Sequence, residues 1–311
     1  MSQRAIFSST TACRANIATC SDPQSGSFGQ IVASAAAWQA TGDTETASAR
    51  GSDDDEGDAD SDDRFDPYVF IGSMTEPHPL PPPTCLPPPT RSSRSHTLVL
   101  DLDETLVHSE LVTEGWAADG GLGPMAGRGP GSSLAHDAPP PCFSVSVDLG
   151  PAAGPDRCPV FAVWRRPGLD AFLQRAAALF EVVVFTASQR PYADRLLDTL
   201  DPGRRLVRHR IFREGCTLSG GAYVKDLRGL RRDLGRTLLV DNSPQAFALQ
   251  LGNGVPIDSF LGSPDDTELE TLMPFLERAT RASDVRALVR DEFRLHERVA
   301  AACRGEGGRS M

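Results

Sequence analysis

The chain of 311 residues has room for one or two domains, and 40% of its residues are apolar. No apolar segment approaches the length that a membrane-spanning helix needs. Residues 53–66 hold nine of the 42 acidic residues and one of the 31 basic ones, so most of the net charge of −11 belongs to this segment. The charge therefore says little about the ligands of the folded part. We expect a monomer that binds neither nucleic acid nor a membrane.

Residues 1–64 are rich in Ser, Thr, Ala, Gly and Asp without a sustained period, which predicts a disordered segment with an acidic tail near its end. A docking segment for a basic partner is the alternative interpretation of the acidic run. Arg4 and Arg14, with no acid before Asp22, also fit an organelle transit peptide. Seven scattered cysteines without a zinc spacing indicate reduced thiols, as in the cytoplasm or nucleus.

Residues 65–94 are predicted to form a Pro-rich linker. The pentapeptide Leu-Pro-Pro-Pro-Thr occurs at Leu80 and again at Leu86, and such runs form stiff polyproline II segments. A ligand for a Pro-reading domain is the alternative function of this repeat.

The first strand of the folded part ends in two carboxylates. The apolar segment Thr97–Leu100 runs into Asp101 and Asp103, and Thr105 follows. Residues two apart in a strand point the same way, so both aspartates can face the cleft where open α/β sheets bind ligands. Two such carboxylates suit a metal-dependent phosphate site, in which one attacks phosphorus and the other carries protons. Alone, the motif also fits an acidic turn after a core strand.

A stretch rich in Gly, Ala and Pro, residues 112–141, is predicted to be a surface-loop insertion. Phe143, Val145 and Val147 then alternate with polar residues, which indicates a half-buried strand whose partner is Pro159–Trp164. We expect the apolar side of this strand to be core, and a peptide-docking face is the alternative.

Helices and buried strands alternate along the rest of the chain. The predicted strands are Val182–Phe185, Leu206–Phe212, Ala222–Val224 and Thr237–Val240, and helical spacing covers Leu169–Ala176, Ala193–Leu200, Leu269–Leu276 and Val285–Val289. This alternation predicts an α/β fold with a mainly parallel central sheet and helices on both faces. The strands near 143–164 and 206–224 are predicted to be β-rich additions to that core.

Polar residues follow three of these strands, as the two aspartates follow the first. Thr186 and Ser188 come after one buried strand, Lys225 after a short apolar segment, and Asp241 and Asn242 after the last strand. Singly, they could be helix caps, a surface lysine and a turn. Together and in this order they indicate one site.

Five stretches resemble the haloacid dehalogenase (HAD) superfamily, and within it the FCP/SCP-type phosphatases of the RNA polymerase II C-terminal domain (CTD) and related phosphoproteins. They are LVLDLDETLVHS, RRPGLDAFLQRAAALFEVVVFTAS, YADRLLDTLD, RIFREGCTLSGGAYVKDL and TLLVDNSPQAF. The segments FDPYVFI, NGVPI and RDEFRLH look most like the CTD-small-phosphatase-like 2 subgroup. The resemblance implies a HAD-like domain over residues 95–298, with 112–141 as an unmatched insertion and a disordered tail over 299–311.

The resemblance also implies roles for single residues. Asp101 would be the nucleophile that forms an aspartyl-phosphate, and Asp103 would protonate the leaving hydroxyl and then activate water. Thr186 would hydrogen-bond the phosphoryl oxygens, and Lys225 would neutralise their charge. Arg213 would contact the phosphorylated substrate.

A magnesium site is implied as well. Asp101 and Asn242 would bind Mg²⁺ directly, Asp103 would add its backbone carbonyl, and Asp241 would act through metal-bound water. Mg²⁺ prefers few carboxylates with waters and phosphate oxygens, which this set respects.

The function expected from these features is that of a Mg²⁺-dependent phosphoserine/phosphothreonine protein phosphatase in the nucleus or cytoplasm. Its partner would be a phosphoprotein. Gln189 stands where many such phosphatases have an apolar residue near the substrate pocket, so the resemblance does not identify the substrate. The alternatives are a non-catalytic binding module of the same fold and a small-metabolite phosphatase of the same superfamily.

Overall fold

The computed structural model describes residues 65–74, 86–90, 93–112, 134, 138–148, 150 and 158–305. The segment 1–64 and most of the insertion 112–141 lie outside these ranges, so the predictions for both stay predictions. None of the helices in the described ranges is long and apolar enough to cross a bilayer.

The centre of the fold is a five-stranded sheet in which all pairings are parallel. In spatial order its strands are β10 (Gly254–Pro256), β9 (Thr237–Asp241), β1 (Thr97–Leu100), β5 (Glu181–Phe185) and β6 (His209–Ile211). Every residue of β1, β5 and β9 is buried, as expected for strands that are covered on both faces. The predicted α/β class with a mainly parallel sheet is confirmed.

Successive residues of β1 contribute to two different cores. Leu98 and Leu100 belong to a large core that includes residues of four helices, whereas Val99 belongs to a second core. The helices of the large core are α2 (Leu169–Leu179), α3 (Arg190–Leu200), α4 (Glu268–Ala279) and α5 (Val285–Phe293). The second core is covered by short 3-10 helices, by α1 (Pro67–Ser73) and by α6 (Leu295–Cys303).

A separate antiparallel sheet has the order β2 (Val107–Leu111), β4 (Val160–Arg165) and β3 (Phe143–Ser146). Val145 and Val147 are buried, so the apolar side of β3 is core and not a docking face. A hairpin is formed by β7 (Thr217–Ser219) and β8 (Ala222–Val224). The strand predicted over Leu206–Phe212 is corrected: only His209–Ile211 pairs as a strand, and this β6 lies beside β5 as an edge of the parallel sheet and not as an addition to it.

The segment predicted as a linker begins with helix α1, which corrects that prediction at its N-terminal end. Asp66 caps the helix by accepting hydrogen bonds from the amides of Tyr68 and Val69, and Pro67 suits the first turn. Ile71 is buried, so the helix is anchored to the domain.

The C-terminal boundary is corrected too, because α6 continues past residue 298 to Cys303. Helices α1 and α6 pack against each other, and a side chain at Gly72 would collide with the Cys303 Sγ. This packing orders both ends of the domain, and a sequence window of either segment alone does not contain it.

Candidate active site

The carboxyl ends of β1, β5 and β9 border a cleft of about 390 Å³. All the predicted site residues line it, namely Asp101, Asp103, Thr186, Arg213, Lys225, Asp241 and Asn242. Parallel neighbouring strands end at the same edge of a sheet, so residues far apart in the sequence meet there. Lys225 reaches this edge from the end of β8, where its amide donates to the Ala246 carbonyl at 2.8 Å.

The ammonium of Lys225 bridges two carboxylates in the buried floor of the cleft. Its Nζ lies 2.6 Å from Asp101 Oδ1 and 2.5 Å from Asp241 Oδ2. Burial lowers the pKa of Lys225, but the two carboxylates outweigh it and raise the pKa above the ordinary value. Burial raises the pKa of Asp241 to about 7 against the opposing effect of Lys225.

The composition of the sequence gives a second indication for Lys225, in addition to its position after an apolar segment. Lys225 is the one lysine of the whole chain, against 30 arginines. Arginine supplies the other side-chain cations, including the buried Arg166, whereas the position between Asp101 and Asp241 carries a compact ammonium. A point charge fits between two close carboxylates better than a planar guanidinium does.

Asp103 has a different environment, made of hydroxyl groups. Tyr192 Oη donates to its Oδ1 at 2.7 Å and Ser188 Oγ donates to its Oδ2 at 2.6 Å, with Thr186 Oγ1 at 3.4 Å. Burial raises the pKa of Asp103, and the nearby charge of Asp101 raises it further, against these hydrogen bonds. The protonated form is therefore favoured relative to an ordinary aspartate.

Tyr192 is a site residue that the sequence reasoning missed. It lies in the first turn of α3, and Ser109 Oγ, 2.5 Å from Tyr192 Oη, donates to it because the tyrosine proton goes to Asp103. Long side chains of a helix point back toward its N-terminus. A tyrosine in the first turn after Thr186-Ala-Ser188 was thus the available signal.

Thr105 connects two oxygens predicted to bind a metal. Its Oγ1 donates to Asp101 Oδ2 at 3.4 Å and to Asn242 Oδ1 at 3.3 Å, so both oxygens lie around one hydroxyl. The amide nitrogen of Asn242 donates to Glu104 Oε2 and Ser259 Oγ, which turns the amide oxygen toward Thr105. A carboxylate oxygen and an amide oxygen side by side are ligands that suit Mg²⁺.

Within the described ranges, no group of three or more His, Cys, Asp and Glu side chains forms a metal site. The predicted direct ligands are one carboxylate, one amide oxygen and one backbone carbonyl, so this result does not conflict with them. The donors present fit a hard divalent cation that keeps several waters.

Glu104 holds the loop after β1 in an unusual conformation. It has φ = 59°, in the left-handed region, and its amide and carbonyl bond to the Val107 carbonyl at 2.6 Å and the Phe260 amide at 2.7 Å. Such conformations persist where the surroundings impose them, often at functional sites. Burial raises the pKa of the Glu104 carboxyl.

Arg213 lies at the rim of the cleft. Its Nε donates to the Ala187 carbonyl at 2.5 Å, and its guanidinium is 5.1 Å from the centre of the Tyr223 ring. These contacts hold a cation in the wall of the cleft, next to the Thr186–Ser188 segment.

The profile of the family described as NLI interacting factor-like phosphatase matches residues 96–286. CTD small phosphatase-like protein 2 of Dictyostelium discoideum is 37% identical over 238 residues, or 76% of this chain and 37% of that protein. CTD small phosphatase-like protein 3 of Caenorhabditis elegans is 40% identical over 215 residues, 69% and 65% of the two chains. CTD nuclear envelope phosphatase 1 of Xenopus tropicalis is 38% identical over 200 residues, 64% and 73% of the two chains.

The first two of these relatives are matched over less than two thirds of their own length. Among solved structures, the fission yeast RNA polymerase II CTD phosphatase Fcp1 bound to beryllium fluoride gives a TM-score of 0.39 at 17% identity, over 69% of this chain and 68% of that one. The profile covers more than half of the sequence, including the ends of β1, β5 and β9. The chain belongs to the NLI interacting factor-like phosphatase family.

Proposed function

We propose that this protein is a Mg²⁺-dependent phosphoserine/phosphothreonine protein phosphatase that acts through an aspartyl-phosphate. The observation that carries the proposal is the unequal pair of carboxylates at the end of β1. Asp101 is paired with the ammonium of Lys225 at 2.6 Å, which holds one of its oxygens in place in the floor of the cleft. Burial and the charge of Asp101 raise the pKa of Asp103 against the hydrogen bonds that it accepts, and a raised pKa suits a proton donor.

In the first step, an oxygen of Asp101 attacks phosphorus, and the bond between phosphorus and the serine or threonine oxygen breaks. Asp103 gives its proton to the leaving oxygen, so the dephosphorylated residue departs as a neutral alcohol. In the second step, the Asp103 carboxylate takes a proton from water as that water attacks phosphorus. The acyl-phosphate bond breaks, and Asp101 and inorganic phosphate are released.

Charge on the transferring group is stabilised by fixed donors of the cleft. Lys225 and the Thr186 hydroxyl are assigned to the phosphoryl oxygens, and Arg213 to the phosphorylated segment at the rim. Mg²⁺, held by Asp101, Asn242 and the Asp103 carbonyl with Asp241 behind a water, would supply positive charge to the same oxygens. Preorganised charge of this kind is worth more in a water-poor cleft than in solution.

A phosphoprotein is the proposed substrate class. Relatives named CTD small phosphatase-like proteins support it. In addition, the described part of the chain has no large second domain that could enclose a small metabolite. A nuclear or cytoplasmic location is proposed with it, consistent with a relative named as a nuclear envelope phosphatase. The small-metabolite phosphatase and the non-catalytic module are the competing functions.

Hydrolysis of 4-nitrophenyl phosphate and of phosphoserine peptides in Mg²⁺ tests the proposal. Asp101→Asn and Asp103→Asn should each abolish turnover of both substrates, because one removes the nucleophile and the other the proton carrier. Asp265→Asn, the same change at an exposed carboxylate, is the matched control and should retain activity.

Wild-type turnover in either catalytic variant would contradict the mechanism. Sugar phosphates hydrolysed faster than every phosphopeptide would favour the metabolite phosphatase. Absence of any Mg²⁺-dependent hydrolysis by the wild-type protein would favour the binding module.

A further inference from the structure

One wall of the catalytic cleft is apolar and begins outside the segment matched by the family profile. Phe65 and Pro67, at the start of α1, line the same cleft as Asp101 and Lys225. Phe65 is 46% exposed, although it lies next to a buried catalytic floor. Asp101 and Lys225 have a clear chemical task, whereas this wall has none in phosphoryl transfer.

Contacts within the domain hold Phe65 in this position. Its ring lies 5.8 Å from the ring of Phe70, which packs so closely on the turn of the β7–β8 hairpin that a Cβ at Gly220 would lie 2.9 Å from it. Asp66, between Phe65 and the helix, caps α1. The aromatic side chain is thus preorganised at the cleft, which reduces the entropy cost of binding.

The hairpin extends the apolar surface away from the cleft. Tyr223 of β8 lines the cleft, and Leu218 of β7 lies directly opposite it in the antiparallel register. Directly opposed residues share a face of the hairpin. Leu218 is 63% exposed, and among the described residues the other large apolar side chains with comparable exposure are Phe65 and Val69.

We propose that Phe65, Pro67, Tyr223 and Leu218 form a subsite for an apolar residue that stands two positions from the phosphorylated residue of a peptide substrate. The subsite rests on the proposed phosphatase function and adds to it a sequence preference. Asp101 and Phe65 line one continuous cleft. A ligand with a phosphate at Asp101 and an apolar group at Phe65 would therefore fill both ends of it, and we infer that this ligand is a peptide. In an extended peptide, side chains two positions apart point the same way and lie about 6.6 Å apart along the chain, so one peptide can offer both groups to the cleft.

Matched phosphoserine peptides with Leu or Ser two positions before or two positions after the phosphoserine test the subsite. The measured quantity is the ratio of kcat/KM for the Leu and Ser peptides at each position, in which general changes in activity cancel. We expect a ratio of roughly ten for the wild type at one of the two positions, since a hydrophobic contact contributes discrimination of this order. Phe65→Ala should lower the ratio to about two or less, mainly through KM, and Phe65→Leu should keep most of it.

Val69→Ala is the matched control, because Val69 is equally exposed on α1 but does not line the cleft. Its ratio should equal that of the wild type. A wild-type ratio near one at both positions, an unchanged ratio in Phe65→Ala, or an equal fall in Val69→Ala would overturn the subsite.

A failure of the proposed catalysis can be told apart from a failure of the subsite. If the wild type hydrolyses no phosphate ester, binding is measured instead of turnover. Fluorescently labelled versions of the same peptides are then titrated with Asp101→Asn protein, and the fluorescence anisotropy gives their affinities. Tighter binding of the Leu peptide that depends on Phe65 supports the subsite without catalysis. Equal affinity for both peptides refutes it.

Discussion

Two aspartates that stand two positions apart in the chain have contrasting surroundings. Asp101 lies 2.6 Å from the ammonium of Lys225, whereas Asp103 accepts its short hydrogen bonds from the hydroxyls of Tyr192 and Ser188. A full positive charge favours a carboxylate strongly, and neutral donors favour it less. The difference teaches that partners from distant strands and helices, and not the aspartates themselves, distinguish the proposed nucleophile from the proposed acid.

The largest effect on this contrast is expected when the ammonium of Lys225 is removed. Lys225→Met should lower kcat for 4-nitrophenyl phosphate by about 10²–10³-fold, because one preorganised charge is lost and Asp101 and Asp241 are left buried without compensation. Lys225→Arg should restore little of it, since a guanidinium does not fit between carboxylates at 2.6 and 2.5 Å.

Steady-state kinetics in saturating Mg²⁺ measure this effect. Arg286→Met, which removes an exposed cation on α5, is the control and should be close to wild type. Activity within threefold of wild type in Lys225→Met would show that the ion pair does not activate Asp101.

A smaller effect on kcat is expected when a hydroxyl that contacts Asp103 is removed. Tyr192→Phe removes a hydrogen bond that stabilises the Asp103 carboxylate, so the pKa of Asp103 should rise further. The alkaline limb of the pH–rate profile, where the acid is lost, should therefore move to higher pH, and kcat should fall about tenfold through poorer positioning.

The profile of kcat against pH, recorded with 4-nitrophenyl phosphate, reports this shift. Tyr68→Phe deletes a hydroxyl that bonds Arg298 and should leave the profile in place. An alkaline limb that moves to lower pH in Tyr192→Phe would contradict the assignment of Asp103 as the acid.

The smallest effect concerns stability. The folded-state pKa of Asp103 is raised above its unfolded value, so its contribution to stability is present at low pH and is lost as pH rises through the folded pKa. The amide side chain of Asp103→Asn does not ionise, so this variant should have a higher unfolding free energy than the wild type at pH 8, and the difference should disappear at low pH, where the aspartate is also neutral.

Asp101→Asn sharpens the comparison, because it removes one of two partners of a buried ammonium and should destabilise the protein at pH 8. Urea unfolding at pH 4 and pH 8 measures both variants. Loss of stability in Asp103→Asn as large as that in Asp101→Asn would mean that the two environments do not differ in the way described.

The sequence by itself was sufficient for the three central strands of the sheet and for the polar residues at their ends. Continuous apolar runs over Val182–Phe185 and Thr237–Val240 are typical of strands buried on both faces, and the structure places both beside β1. Since parallel strands end at a common edge, the polar residues that follow them had to meet. Each strand can be recognised from its own residues, and the polar residue follows it directly, so the positions of Thr186 and Asn242 were predictable.

Other features depended on tertiary contacts. Phe65 falls in a segment that composition describes as a linker, and it becomes part of the cleft wall only because α1 packs against α6 and the β7–β8 hairpin. Tyr192 resembles a core residue in its helix, and its hydroxyl acquires a role from the orientation of α3 toward Asp103.

The sequence therefore determined which chemical groups gather at the end of the sheet. Tertiary structure decided how they differ, because the hydrogen-bond partners and the charged neighbours of each group are contributed by other elements. Asp101 and Asp103 are equivalent in sequence, and they differ once Lys225 arrives from β8 and Tyr192 from α3. The apolar wall at Phe65 is decided in the same way, by helix packing that no single segment encodes.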